Sequence, residues 1–65
     1  MHVNGENITL KSLHKDLQSF LIDIGYDPMR VAVEHNGNVI PRVSFEHTQL
    51  SESDTIEIVC FVGGG

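Results

Sequence analysis

The chain has 65 residues, 40% of them hydrophobic and 20% charged; this is the composition of one small folded domain, and a chain so short, burying only about 60% of its unfolded surface, has no room for a large enclosed active site. Its formal net charge is -5, and the fixed cations Lys11, Lys15, Arg30 and Arg42 are scattered along the sequence, which excludes the basic footprint of a nucleic-acid or anionic-membrane binder. The single cysteine, Cys60, rules out an intramolecular disulfide, and with neither a signal-like start nor an apolar run of ~20 residues the chain is expected to be soluble and cytoplasmic.

The opening residues His2 to Leu10 read as two short strands around Asn4-Gly5, a pair that tolerates the positive φ of a tight hairpin. Ser12 then stands where a helix cap belongs, and Leu13, Leu17, Phe20, Leu21 and Ile24 recur at helical spacing, leaving His14, Lys15, Asp16, Gln18 and Asp23 off the apolar face. Gly25 offers a left-handed stop, and Pro28 makes Tyr26 to Met29 a connection.

Val31 to His35 and Asn38 to Pro41 flank Asn36-Gly37, the strongest hairpin signal in the chain. A two-residue turn there pairs Val33 with Ile40 and leaves Pro41 at a strand end or edge. Arg42 to Asp54 is polar with isolated apolar anchors at Val43, Phe45 and Leu50, so irregular structure or a short helical turn is expected. Thr55 to Val62 is strongly strand-forming, with Ile56, Ile58, Cys60 and Val62 on one face and Glu57, Val59 and Phe61 on the other.

The order β, β, α, β, β, irregular, β predicts an α+β domain with a mixed sheet and one amphipathic helix packed across one face. That is the β-grasp, or ubiquitin-like, arrangement. The predicted domain covers residues 1–62, and Gly63, Gly64 and Gly65 form a flexible C-terminal tail. A single helix leaves the second sheet face open, so Val59, Phe61 and Val39 either form an exposed apolar patch or pack beneath a loop.

These residues together resemble the ThiS sulfur carriers of thiamine biosynthesis along the whole chain. The resemblance rests on Val3-Asn4-Gly5, on Val33 through Asn36-Gly37 to Arg42, and on Asp54 to Val59 leading into Phe61-Val62-Gly63-Gly64-Gly65. One departure is Glu52-Ser53-Asp54, where family members usually carry a glycine between the two acidic residues. The resemblance implies a carrier that is not itself an enzyme. It implies that Gly65 is adenylated by a ThiF-type, E1-like enzyme using ATP and Mg, converted to a thiocarboxylate with sulfur from a donor protein, and then delivers that sulfur to a ThiG-type thiazole synthase. It also implies that Gly63 and Gly64 enter the partner's active site. Neighbouring readings are a molybdopterin-type carrier, a ubiquitin-like modifier, or a non-reactive interaction module.

The chemistry agrees with a partner-catalysed role. A carboxylate attacking the α-phosphate of ATP needs positive charge around two anions, and this sequence has no phosphate-binding loop or basic cluster to supply it. Glycine, lacking Cβ, can thread where side chains cannot. Ordering such a tail costs roughly 1 to 2 kcal/mol per residue, so the folded body must supply most of the binding, with Val59 and Phe61 as the expected partner surface.

Three terminal glycines alone could equally be a linker; it is the preceding strand and the family pattern that give them meaning. Cys60 alternates with Ile58 and Val62 and reads as a small buried hydrophobe in preference to a nucleophile. His2, His14, His35 and His47 match no zinc spacing, so no metal or other cofactor is expected on the carrier itself. Glu46, Glu52, Asp54 and Glu57 read as solvated surface charges.

Overall fold

Two Asn-Gly turns organise the sheet. In a computed structural model, which describes residues 1–61, Asn4 and Gly5 have φ of 52° and 83°, and Asn36 and Gly37 have 52° and 85°. Both pairs thus have the double positive φ of the hairpin turn whose twist matches that of the flanking strands. The first joins β1 (His2–Val3) to β2 (Glu6–Asn7), and the second joins β3 (Val31–His35) to β4 (Asn38–Val39). β5 (Thr55–Cys60) lies between the hairpins, giving the order β2-β1-β5-β3-β4. β5 runs parallel to β1 and antiparallel to β3. The fold is the expected α+β mixed sheet of the β-grasp type.

Alternation decides which side chains enter the core. Val31 and Val33 of β3, Ile56 and Ile58 of β5 and Val3 of β1 are buried against Leu17, Phe20 and Leu21 of α1 (Leu17–Asp23), with Met1 and Phe45 closing the cluster. Burying a side chain such as Leu or Phe fully contributes roughly 1.5 to 3 kcal/mol, so this cluster dominates the stability of so small a domain. Ile40 donates its backbone N–H to the Val33 carbonyl at 2.9 Å, as the expected Val33/Ile40 pairing requires.

The helix begins later than its apolar spacing predicts. Asp16, not Ser12, is the cap: its carboxylate accepts from the Ser19 N–H at 2.8 Å. Residues before it form a turn in which the Lys11 N–H donates to His14 Nδ1 at 3.1 Å, while His14 Nε2 donates to Asp23 Oδ2 at 2.7 Å. These partners fix the neutral imidazole tautomer with its proton on Nε2. His14 is therefore buried, with its ring edge-on to Phe20 at 5.0 Å, and Leu13, expected on the apolar face, is 54% exposed. The tertiary contacts of one histidine override the helical periodicity of Leu13. Gly25 stops the helix as expected, at φ 98°.

The segment the sequence leaves unread is largely helical at its start. A 3₁₀ turn spans Arg42–His47 and drops Phe45 into the core, and the Thr48 carbonyl then accepts the Leu17 N–H at 2.8 Å. Residues 51–54 turn with no positive φ, so Ser53 is tolerated there. No helix among the described residues is long and apolar enough to cross a membrane.

Candidate functional site at the open sheet face

The side chains that point away from α1 form the molecule's second face. The β3/β5 register places Ala32 opposite Val59 and Glu34 opposite Glu57, while Val39 of β4 lies across from Glu34. Val39 is 71% exposed and Val59 62%. Phe61, just beyond β5, continues the alternation; its N–H donates to the Arg30 carbonyl at 2.8 Å and its side chain is 57% exposed. Among the described residues no loop covers Val59 or Phe61, so of the two readings open to the sequence the exposed patch is the observed one. A shallow depression of about 90 Å³ lies on this face, lined by Ala32, Val33, Glu34, Val39, Glu57 and Val59.

The position of β5 is set by a polar cluster at its start. Asp54 is 7% exposed, against the expectation of a solvated charge. Its Oδ2 accepts from His35 Nε2 at 2.8 Å and from the Ser51 N–H at 2.8 Å, and its Oδ1 accepts from Asn36 Nδ2 at 3.0 Å. Asn36 in turn accepts the Thr55 N–H at 2.8 Å. Burial alone would raise the Asp54 pKa, but the hydrogen bonds from His35, Asn36 and Ser51, with the His35 charge, outweigh it and hold the carboxyl below its ordinary value. Asp54 thus ties the β3–β4 turn to the first residue of β5. Glu46, Glu52 and Glu57 are exposed, as expected.

Cys60 is exposed, contrary to the expectation of a buried hydrophobe. Alternation does put it on the side of Ile56 and Ile58, opposite the buried Val31 of β3, but it is the last residue of β5 and takes no part in the core cluster. The predicted strand end at Val62, the boundary between domain and tail, and the tail residues Gly63, Gly64 and Gly65 lie outside the described residues. Among the described residues, no three His, Cys, Asp or Glu side chains are grouped to hold a metal ion.

Sequence reasoning missed Ala32, Glu34 and the His35-Asn36-Asp54 cluster. The alternation of β3 assigns Ala32 and Glu34 to one face, but which residues of β5 they meet depends on the register between strands far apart in sequence. Asp54 carries no local signal beyond its place before a strand.

Comparison with known proteins agrees with this architecture. The model of the ThiS family matches residues 1–65. The sulfur carrier protein ThiS of Bacillus subtilis is 32% identical over 65 residues, spanning 100% of this chain and 98% of that protein. A thiazole synthase of Magnetococcus marinus is 38% identical over 65 residues; this chain spans about a fifth of the length of that protein. The crystal structure of the thiamine biosynthesis protein (ThiS) from Geobacter metallireducens superposes with a TM-score of 0.80 at 30% identity, covering 98% of this chain and 96% of that one.

Proposed function

This chain belongs to the ThiS family, and from that membership we propose that it is a sulfur carrier of thiamine biosynthesis whose reactive group is the carboxylate of Gly65. In this reading a ThiF-type enzyme, holding ATP and Mg, lets a carboxylate oxygen of Gly65 attack the α-phosphorus and release pyrophosphate. Sulfide-level sulfur released by a donor protein then attacks the acyl carbon, the new C–S bond forming as the C–O bond to AMP breaks, to leave a thiocarboxylate, which a ThiG-type thiazole synthase consumes. The carrier binds no cofactor and catalyses none of these steps. Such partners and a single thiol, Cys60, support a reducing, cytoplasmic setting for the carrier.

The observation that carries the proposal is the exposed Val59 and Phe61 strand end, which runs in sequence straight into Val62-Gly63-Gly64-Gly65. Four residues reach at most roughly 13 Å, so an enzyme that takes Gly65 into its active site also meets Phe61 and Val59 at its mouth. Gly63 and Gly64 are then the stretch that passes the channel. A region similar to this chain occurs within a longer polypeptide named thiazole synthase, which supports a partner of that kind.

Appending one residue after Gly65 tests the reading. The added peptide bond turns the attacking carboxylate into an amide, without touching the sheet face. We expect pyrophosphate release and the oxygen-for-sulfur mass change to disappear when this variant is incubated with the activating enzyme, ATP and the sulfur donor. Thiocarboxylate formed on the intact, unclipped extended chain would refute it.

A further inference from the structure

The open face carries an arrangement that solubility alone does not ask for. Hydrogen bonds from Asn36 N–H to the Thr55 carbonyl and from Phe61 N–H to the Arg30 carbonyl put the hydrogen-bonded pairs of the β3/β5 ladder at the even-numbered residues of β3. Glu34 and Glu57 therefore face each other directly across such a pair, with Cα atoms about 5.5 Å apart. Both are exposed, and among the described residues neither forms an ion pair. Like charges placed directly opposite destabilise a sheet. Surface charge could sit anywhere; here two carboxylates stand together at the edge of an apolar depression formed with Ala32, Val39 and Val59.

Resting on the proposal that this face docks the synthase, we propose that it receives an arginine of that partner, whose guanidinium lies between Glu34 and Glu57 and whose aliphatic stem lies along Val39 and Val59. A planar, always-charged head with several donors satisfies two neighbouring carboxylates at once, and its methylenes suit the apolar floor. The face is polar along its length: the acidic pair lies at one end, and Arg30 and Phe61 lie at the end from which the chain continues to Gly65. A cation fixed at the acidic end sets the direction in which the carrier lies on its partner, and so the direction in which its tail leaves. A second copy is the poorer occupant, because the net charge of -5 makes two copies repel.

The test titrates the full chain against a purified ThiG-type thiazole synthase by calorimetry, at about 50 and 300 mM salt, with the Glu34→Gln/Glu57→Gln double variant beside Phe61→Ala and Val59→Ser. We expect the double variant to bind about tenfold more weakly at low salt and to lose most of the salt dependence. Its thermal melt is expected to be unchanged or higher, since removing the repulsion helps the free fold. Affinity within twofold of the parent, or tighter, overturns the arginine site. If Phe61→Ala or Val59→Ser still weakens binding in that case, the face stands and only the cation is wrong. If none of the variants changes affinity, the docking face itself falls. Self-association of the free chain that disappears in the double variant also overturns the proposal, assigning the acidic pair to Arg30 of a second copy.

Discussion

Replacing Asp54 by Asn keeps the shape of the side chain and removes its charge. In the parent, Oδ2 takes two donors, His35 Nε2 and the Ser51 N–H, each at 2.8 Å, and Oδ1 takes Asn36 Nδ2 at 3.0 Å. The substituted amide retains one oxygen for two of these, now without charge assistance, and turns its N–H₂ toward the third donor. Bonds to charged groups contribute about 1.5 to 3 kcal/mol and neutral ones about 0.5 to 1.5. Partial exposure of His35 and Asn36 lets water replace some of the loss, so about 2 kcal/mol is expected at pH 7. With unfolding entropy near 2.1 cal/mol/K per residue over 65 residues, that lowers Tm by about 15 °C.

The same substitution carries a pH signature. The native Asp54 pKa lies below its ordinary value, so the unfolded chain binds the proton more readily than the folded one. The carboxylate's contribution is therefore present above the unfolded pKa of about 3.9 and is lost as pH falls through the lower native value. Asn does not titrate, so the Tm gap between parent and variant should be widest at neutral pH and narrow below about pH 4. Circular dichroism melts at several pH values measure it. A variant melting within about 3 °C of the parent at pH 7, or a gap that does not narrow in acid, would refute the assignment of Asp54 as the clasp between the β3–β4 turn and β5.

Phe45→Ala should cost about 3 to 5 kcal/mol, because Phe45 is 1% exposed and fills the core from the 3₁₀ turn; a urea midpoint close to the parent's would show that this turn is a dispensable flap. Cys60→Ser should change stability by no more than about 0.5 kcal/mol, as expected for an exposed position. The same variant should still form the thiocarboxylate, read by intact mass, and a folded Cys60→Ser protein that partner enzymes cannot charge would assign the thiol a role.

Much of this protein is written locally. Asn4-Gly5 and Asn36-Gly37 dictate two hairpins because only a residue pair tolerant of positive φ closes so tight a turn, and a period-2 pattern sorts Ile56 and Ile58 from Glu57 and Val59 whatever lies on either side. The run Phe61 to Gly65 likewise carries its part of the family resemblance in sequence alone. What tertiary structure decided lies where partners far apart in the chain compete with local preference. His14 is drawn inward by Asp23 and Phe20, which ends the apolar stripe before Leu13 and moves the helix start to Asp16. Asp54 is buried because His35 and Asn36, 19 and 18 residues away, converge on it. Cys60 follows the core parity of its strand and stands opposite the buried Val31, yet as the last residue of β5 it is left exposed. The facing of Glu34 and Glu57 is a matter of register between β3 and β5, and a slip of one residue would send each to the opposite side of the sheet. Periodicity assigns a residue to a face; only the packing of distant segments determines where that face ends and which residues meet upon it.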